Sequence, residues 1–354
     1  MKARWIVLGF VLVAVAVIVV VEAPLRGRAA DKAPARAEPG GVVGSLGEYA
    51  ISEPFTHENL TVFMIYGKDR IQGKEFLTLQ EAMAKKLVTV HETGDVSNLM
   101  IENRGDKPIY VGSGEIVKGG KQDRMLQYDL IIPAHSGKMP IRSFCVEAGR
   151  WSRRGNEPLA CFLCSSNVVA GKDLKLAAKS KGSQQAVWEE VAKAQRKMSV
   201  NLNATVIDPR SASSYQLSLE NREVKKAVGE YMGKLARSVE GKKNAVGFAF
   251  AINGEVNSID VYASGALFRK LWPKLLEAAA GEAIAEQKKD QAFPAAKADD
   301  VKKLIAEMAK QKVVTRRLSK RTVLSLGENS AAAYFETVDE DSEGAPVHKS
   351  YLKK

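Results

Sequence analysis

The chain has 354 residues, with 53 Lys and Arg against 41 Asp and Glu, so its formal net charge is +12 at pH 7 and its pI is near 9.4. The basic residues are interleaved with acidic ones, and no zinc-finger, helix-turn-helix or RNA-recognition pattern accompanies them, so the composition disfavours a nucleic-acid partner. The four histidines show no metal-ligand spacing, and neither a P-loop nor a dinucleotide-binding glycine pattern is present, so the sequence predicts no metal and no cofactor.

An unbroken apolar run at residues 5–21 follows the basic residues Lys2 and Arg4. A short basic segment before such a run is typical of a secretory signal, and the run approaches the roughly 20 residues that cross a bilayer core. Pro24 follows the best candidate cleavage point, which favours an uncleaved anchor. We expect residues 1–28 to be a signal or anchor segment that contacts the membrane and places the rest of the chain in the cell envelope or on the extracellular side.

Composition divides the remainder into a tether, a folded body and a tail. Residues 29–47 are rich in Ala, Pro, Gly and charge and have little to bury, which predicts a flexible linker. Residues 48–338 are long enough for one elaborated α+β domain, β-rich over 48–165 and mixed over 166–338. Residues 339–354 begin with an acidic break and are predicted to be a polar tail.

The first half of the body is dominated by strand signals. Residues 59–66 alternate in polarity and are rich in β-forming residues, which predicts a strand. Thr78 stands three residues before Glu81, the spacing of a capping box, so a short helix should run to Lys86. Five further strand pieces are expected at residues 88–92, 99–103, 109–112, 123–132 and 142–147. Because glycine-rich turn signals separate them closely, we expect an antiparallel sheet, sandwich or half-barrel.

The second half changes period. Helical spacing of apolar residues predicts helices at residues 184–198, 219–239, 265–284 and 301–308, and strand patterning returns at residues 322–337. Asn253-Gly254 between two apolar runs predicts a β-hairpin over residues 245–263. The fold class expected is therefore α+β: a β-rich antiparallel N-terminal half and a helix-hairpin-helix C-terminal half, behind an N-terminal transmembrane or signal segment.

Three cysteines are available for a disulfide in an oxidising compartment. Cys161 and Cys164 form one possible pair, and Cys145 with either of them forms another, leaving one free thiol.

The window of residues 112–124 combines glycines with charged side chains. Glycine allows backbone N–H groups to approach an anion, and Lys and Arg add charge-assisted donors. The candidate ligand-binding residues here are Lys118, Gly119, Gly120, Lys121, Gln122, Asp123 and Arg124, and Glu115 is a candidate acid or base. The alternative is a charged β-hairpin with glycine turns and no ligand.

A second cluster occupies residues 144–151. Strand alternation sends Cys145 and Glu147 to one face, and Gly149 then ends the strand and presents Arg150 and Trp151. An Arg beside an exposed Trp can hold an anion or stack on a planar ring, and Glu147 is a second candidate acid or base. Alternatively, the Trp is a core anchor and the Arg pairs with a surface acid. We expect the two windows to converge in space.

The two windows also carry a family resemblance. Three segments, residues 90–108, 114–124 and 145–151, resemble the proteins associated with ADP-ribosylglycohydrolase and rhodanese-phosphatase genes. The matching residues in the second segment are Glu115, Gly119, Lys121, Gln122 and Arg124. Those in the third segment are Cys145, Glu147, Gly149, Arg150 and Trp151. The resemblance is closest over residues 60–151. It implies that the protein handles a nucleotide-linked or ribose-phosphate metabolite.

Three classes of function remain open. The first is an exported or membrane-anchored protein that binds an anionic metabolite, nucleotide- or sugar-linked, through the Gly/Lys/Arg-rich site. The second is a hydrolase acting on such a ligand with Glu115 and Glu147 as acid and base, which requires the two carboxylates to lie within about 5–10 Å. The third is an envelope scaffold or protein-interaction module without a small-molecule site.

Overall fold

A computed structural model describes residues 42–46, 49–71, 73–289, 291–342 and 344–354, with the side chains of residues 42–46 and 164–168 excepted. The predicted signal or anchor segment and most of the predicted linker lie outside these residues. The described part of that linker, residues 42–46, forms a strand paired with its neighbour, so the prediction of a flexible linker is wrong there. Within the described ranges, no helix is both long and apolar enough to cross a membrane.

The described chain contains strands throughout and helices mainly in its second half. The strands are β1 (Val42–Leu46), β2 (Tyr49–Ser52), β3 (Phe55–His57), β4 (Leu60–Tyr66), β5 (Leu77–Thr78), β6 (Val88–His91), β7 (Asn98–Asn103), β8 (Ile109–Val111), β9 (Glu115–Gly119), β10 (Arg124–Leu126), β11 (Leu130–Ile132), β12 (Gly137–Cys145), β13 (Phe162–Val169), β14 (Ala245–Ile252), β15 (Glu255–Tyr262), β16 (Val314–Arg317), β17 (Thr322–Glu328), β18 (Ala332–Asp339) and β19 (Pro346–Lys353). The α-helices are α1 (Leu79–Ala84), α2 (Lys172–Leu176), α3 (Gln184–Leu202), α4 (Tyr215–Leu219), α5 (Arg222–Leu235), α6 (Gly265–Ala285) and α7 (Ala298–Met308). The α+β class is confirmed.

A ten-stranded antiparallel sheet joins the two halves of the sequence. Its strand order is β1-β2-β4-β14-β15-β19-β18-β17-β16, with β3 paired to β4 beside this path. β4 pairs along its length with β14, from Leu60 opposite Ile252 to Tyr66 opposite Ala245. The two predicted halves therefore share one ladder of backbone hydrogen bonds.

The predicted β14–β15 hairpin forms the centre of this sheet. Asn253 and Gly254 make the turn with φ of 53° and 80°, as a two-residue hairpin of this composition requires. Every residue of β14 is buried, because the strand is covered on both faces. Phe248 belongs to the apolar cluster that contains α6 residues, and Ala249 belongs to the cluster that contains α7 residues. A strand that is buried on both faces has a continuous apolar sequence and not an alternation of apolar and polar residues.

Two smaller sheets build the region that carries the candidate site. One has the order β13-β9-β10-β12-β7-β6, and the other has the order β11-β8-β5, with β5 and β8 parallel. The prediction of a single strand at residues 123–132 is wrong. This segment forms two strands, β10 and β11, which belong to different sheets. The residues between β10 and β11 include the buried polar side chains of Gln127 and Asp129. Gln127 bonds the carbonyl of Ala178, and Asp129 bonds His348.

The polar tail predicted at residues 339–354 is also wrong for most of its length. Residues Pro346–Lys353 form β19, which pairs with β15 on one side and β18 on the other. Val347 and Leu352 have no exposed surface. By contrast, the predicted capping box is confirmed: the Thr78 hydroxyl accepts from the N–H of Glu81, whose carboxylate accepts from the N–H of Thr78.

Candidate functional site

The two charged windows of the sequence lie side by side in the fold. β10 pairs with β12, with Arg124 opposite Cys145, so the segments that flank these strands meet at one end. The guanidinium of Arg150 donates to the carbonyl oxygens of Gly119 and Gly120, each at 3.1 Å. The geometry therefore brings the two windows together at residues 119–124 and 145–151.

The glycine turn holds an anion that the chain itself supplies. One oxygen of the Glu92 carboxylate accepts from the backbone N–H of Lys121 at 3.0 Å, and the other accepts from the N–H groups of Thr93 and Gly94 at 3.1 and 2.9 Å. Gly120 has φ of +53°, and a Cβ at that position would lie 2.7 Å from the same carboxylate and 2.5 Å from the Phe162 ring. The turn needs glycine because Glu92 and Phe162 pack directly against its backbone.

Several candidate ligand-binding groups are instead joined in a buried ion network. Arg154 donates to both oxygens of Asp123 at 2.9 Å and to Glu147 at 2.9 Å, and Arg150 donates to Glu147 at 2.7 Å. Burial raises the pKa of Asp123, against the lowering effect of Arg154. Burial would also raise the pKa of Glu147, but hydrogen bonds led by that from Arg150 outweigh it and lower that pKa. Such a network balances its own charges and fixes the loop after β12.

Lys118 and Gln122 also have partners within the chain. The Lys118 ammonium contacts the Glu220 carboxylate at 2.6 and 2.8 Å. The Gln122 amide donates to the carbonyl of Glu147 at 2.7 Å. Both side chains therefore connect the window to neighbouring elements.

Arg124 is different, because part of its guanidinium has no partner. The side chain is completely buried, and Nη1 donates to Gln122 and to the Cys145 sulfur. Nε and Nη2 are buried and have no hydrogen-bond partner among the described residues. The carboxylate of Glu92 lies 3.7 Å from Nη2, beyond hydrogen-bond distance. Two donors of a charged group are thus left unused.

Lys121 and Trp151 lie next to this guanidinium. The Trp151 ring centroid is 5.5 Å from Cζ of Arg124 and 4.9 Å from Nζ of Lys121. Trp151 is 44% exposed, so it is not the core anchor that the alternative interpretation required. The Lys121 ammonium makes no ion pair with a described residue. Two cations and an exposed indole ring therefore meet at one place, which we call the Arg124 site.

Glu115 belongs to another region. It is the first residue of β9 and Gly119 is the last, so roughly 13 Å of extended chain separates them. Glu115 contacts Lys274 at 3.1 Å, in a pocket that also contains Asp129, Asp260 and His348. The two candidate acid–base residues, Glu115 and Glu147, therefore have different partners and lie in different clusters.

The sequence interpretation missed Glu92 and Arg154 as parts of the Arg124 region, and it missed the pocket around His348. Arg154 lies 31 residues after its carboxylate partner Asp123. His348 lies 219 residues after Asp129. No local spacing signals such pairs.

The cysteines and the possible metal ligands were the remaining candidate functional groups. Cys145 and Cys161 are free thiols, and burial raises the pKa of Cys145 to about 11. The side chain of Cys164 is not among those described, and a bridge from it to Cys161, which depends on oxidation, stays a prediction. In the described part of the chain, no group of three or more His, Cys, Asp or Glu side chains is placed to hold a metal ion.

Together, the fold and the Arg124 site define a mainly antiparallel α+β domain with buried charge networks. The family model for the ARG and Rhodanese-Phosphatase-superfamily-associated Protein domain matches residues 48–351. The chain belongs to this family, and the match extends well beyond the residues 60–151 on which the resemblance was recognised. Comparisons with curated proteins and with solved structures found no match.

Proposed function

We propose that the protein binds an anionic, nucleotide- or sugar-linked metabolite at the Arg124 site. The observation that carries this proposal is the pair of unpartnered donors, Nε and Nη2, on the buried Arg124 guanidinium. A buried charged donor without an acceptor costs at least about 1–3 kcal/mol. A ligand phosphate or carboxylate would accept from both nitrogens, since the edge of a guanidinium matches the two oxygens of such a group.

Trp151 and Lys121 supply the remaining contacts. Lys121 adds a second positive charge beside the guanidinium, and the exposed indole ring of Trp151 offers a stacking surface for a base or the apolar face of a sugar. Binding requires the ring to move away from Arg124. A Cβ built on nearby Gly149 would meet no atom of the described residues within 4 Å, so these residues leave space beside the backbone before Trp151.

A hydrolase that uses Glu147 is not favoured by the geometry. Both oxygens of its carboxylate already accept hydrogen bonds, one from Arg150 and Arg154 and the other from the N–H of Asp123. A general base needs a free lone pair facing the substrate. We therefore propose that this site binds its ligand and that Glu147 serves the buried ion network.

The binding proposal is tested by titrating the full-length chain with ADP-ribose, ribose 5-phosphate and inorganic phosphate, following indole fluorescence and heat. Because a charge-assisted hydrogen bond is worth about 1.5–3 kcal/mol, we expect Arg124→Gln to weaken binding about tenfold or more. Lys121→Gln, at a partly exposed position, should weaken it without affecting folding. Arg153→Gln is the matched control, since Arg153 is exposed and, within the described ranges, its side chain bonds only the carbonyl of Glu157.

Two results would contradict the proposal. One is that none of the three anions binds the native chain. The other is that Arg124→Gln and Lys121→Gln bind with the affinity of Arg153→Gln, which would leave the cluster a purely structural one.

The location of this binding is a separate proposal, supported by the apolar run at residues 5–21. We propose that this run anchors the domain on the outer side of the membrane. A reporter enzyme fused after Gly47 should be active outside the cytoplasm, and activity confined to the cytoplasm would contradict export.

A further inference from the structure

A cleft with a volume of about 250 Å³ lies where the three sheets meet. Its walls come from β8 and β11 of the three-stranded sheet, from β10 and β12 of the six-stranded sheet, and from the end of β16 in the large sheet. β12 pairs with β10 only over Ser143–Cys145, because the chain leaves β10 at Leu126 and enters another sheet at Leu130. The cleft lies beside the part of β12 that this crossing leaves unpaired on one side.

The inner wall of the cleft is apolar. Leu130 and Ile141 are 7% and 5% exposed, and Leu318 approaches them from the large sheet. A dry apolar cavity of about 150 Å³ holds a benzene molecule, so the larger cleft has room for one ring with a short chain. Within the described ranges, no acidic side chain lines it. Its shape and lining therefore suit a small molecule whose body is apolar and whose charge, if any, is negative.

Arg142 lies at the exposed rim of this cleft. Its side chain makes no hydrogen bond or ion pair with a described residue. The other arginine of the lining, Arg317, is already paired, since its guanidinium donates to the two carboxylate oxygens of Glu340 at 2.7 and 2.5 Å. A surface arginine without a partner is common, but here it borders an apolar cleft that contains no acid. Arg142 is therefore available to a carboxylate of the ligand.

Tyr128 supplies a second donor in the lining. The side-chain nitrogen of Gln127 donates to the Tyr128 hydroxyl oxygen at 3.1 Å and to the carbonyl of Ala178 at 2.8 Å. The bond to the carbonyl fixes the orientation of the amide, so the Tyr128 oxygen acts as the acceptor. The hydroxyl proton has no acceptor among the described residues, and a carboxylate oxygen would accept it.

The turn that follows β16 adds positive charge beside the cleft. Residues 316–321 contain four basic side chains. Arg321 is paired with Asp339, whereas Arg316 and Lys320 are exposed and make no ion pair with a described residue. Unpaired surface cations of this kind raise the local concentration of anions. The electrostatic environment therefore favours an acid over a neutral or cationic molecule of the same shape.

We propose that this cleft binds a small carboxylic acid with an apolar body, of the size of one ring joined to the carboxylate by a short chain. The ring packs against Leu130, Ile141 and Leu318. The carboxylate lies at the rim and accepts from the Arg142 guanidinium, whose edge matches two carboxylate oxygens, and from the Tyr128 hydroxyl. This site and its ligand class are independent of the anion binding proposed for the Arg124 site.

The proposal is tested by calorimetric titration of the full-length chain with 3-phenylpropionate, with the uncharged 3-phenylpropanol and with acetate. The alcohol should bind at least about tenfold more weakly than the acid, because it cannot form the charge-assisted bonds to Arg142. Acetate should also bind at least about tenfold more weakly, because it has no ring to bury. The proposal is overturned if 3-phenylpropionate does not bind the native chain, or if either comparison compound binds equally well.

Variants locate the bound acid. Arg142→Gln should weaken 3-phenylpropionate at least about tenfold, and Leu318→Phe should weaken it by filling the cleft. Lys138→Gln is the matched control, since Lys138 is exposed on the same strand but does not line the cleft. Lys121→Gln should leave the affinity unchanged, which separates this cleft from the Arg124 site.

Thermal melts of each variant establish that it is folded. Both Arg142 and Lys138 are exposed, so their variants should melt with the native chain, and this pair decides the result even if Leu318→Phe unfolds. Equal affinities of Arg142→Gln and Lys138→Gln would overturn the proposal. A loss of binding in Lys121→Gln would do so as well, because it would assign the acid to the Arg124 site.

Discussion

At the scale of single residues, His348 connects three remote parts of the chain through its two carboxylate partners. Asp129 precedes it by 219 residues and Asp260 by 88. Burial would raise the pKa of each acid, but His348 outweighs it in both cases and each pKa is lowered. The pairs are buried, so removing one member leaves uncompensated charge at the junction of two sheets.

We expect His348→Gln to lower the free energy of unfolding by about 3–5 kcal/mol near pH 6, because two carboxylates lose their cation. The pKa of His348 is raised in the folded protein, so its stabilisation is complete below its unfolded value near 6.5 and is lost as pH rises through the folded value. The difference between native and variant should therefore shrink from pH 6 to pH 9 in urea titrations.

Lys179 titrates in the same pH range with the opposite sign. Its pKa is lowered on folding, so its contribution improves as pH rises from about 8. Lys179 is present in both the variant and the native protein. Its contribution to the free energy of unfolding therefore largely cancels when the two are compared at each pH. A difference that stays constant from pH 6 to pH 9 would show that His348 does not carry the charge inferred for it.

The sequence located part of the candidate chemistry and missed the rest for a physical reason. Lys121, Arg124 and Trp151 were found because each lies in a short charged window, and neighbouring strands then bring the windows together. Glu92, whose carboxylate accepts from the backbone N–H of Lys121 where an external anion was predicted, lies outside both windows. Partner choice among charged residues depends on three-dimensional distance, which no spacing along the chain records.

At the scale of secondary-structure elements, segments with a clear pattern of apolar residues were predicted correctly. The hairpin of β14 and β15 and the helix α6 were expected almost within their observed bounds. β19 was missed because its buried positions include His348 and Ser350 beside Val347 and Leu352, so burial does not follow hydrophobicity. Its polar residues are buried because they bond to the ion pairs beneath the sheet.

The hairpin turn gives a prediction about one glycine. Gly254 has φ of +80°, and a Cβ there would lie 2.2 Å from the carbonyl oxygen of Pro294. Gly254→Ala should therefore destabilise the protein by more than about 1 kcal/mol, since backbone strain and a collision with main chain combine. The measurement is the midpoint of urea unfolding.

Gly233→Ala is the matched control for that change. Gly233 lies exposed in α5, and a Cβ built on it would have no atom of a described residue within 4 Å. Alanine in a helix interior is favoured over glycine by about 0.5–1 kcal/mol, so this variant should be slightly more stable than the native chain. Equal effects of the two substitutions would rule out the turn geometry as the cause.

At the scale of the whole molecule, the order of the large sheet makes residues 346–353 part of the core. β19 lies between β15 and β18. The strands on its two sides belong to the hairpin of β14 and β15 and to the meander β16–β18. The sequence established the fold class but not this order, because strand neighbours far apart in the chain leave no local pattern.

Ending the chain after Ala345 should abolish cooperative unfolding, because it exposes two strand edges and the apolar surface beneath Val347 and Leu352. Circular dichroism and a thermal melt provide the measurement. Removal of Lys354 alone is the control, since that residue follows the strand and is exposed. A folded, cooperative product of the longer deletion would show that the sheet closes without its last strand.

The position of β19 also fixes when the protein can finish folding during synthesis. β19 is synthesised after the strands on both its sides, and it joins two blocks of the large sheet, β1-β2-β4-β14-β15 and β16–β18. Until β19 emerges, both blocks keep an open edge, and open strand edges can pair with the wrong chain. We therefore expect the large sheet to stay incomplete during synthesis until residues 346–353 have left the ribosome.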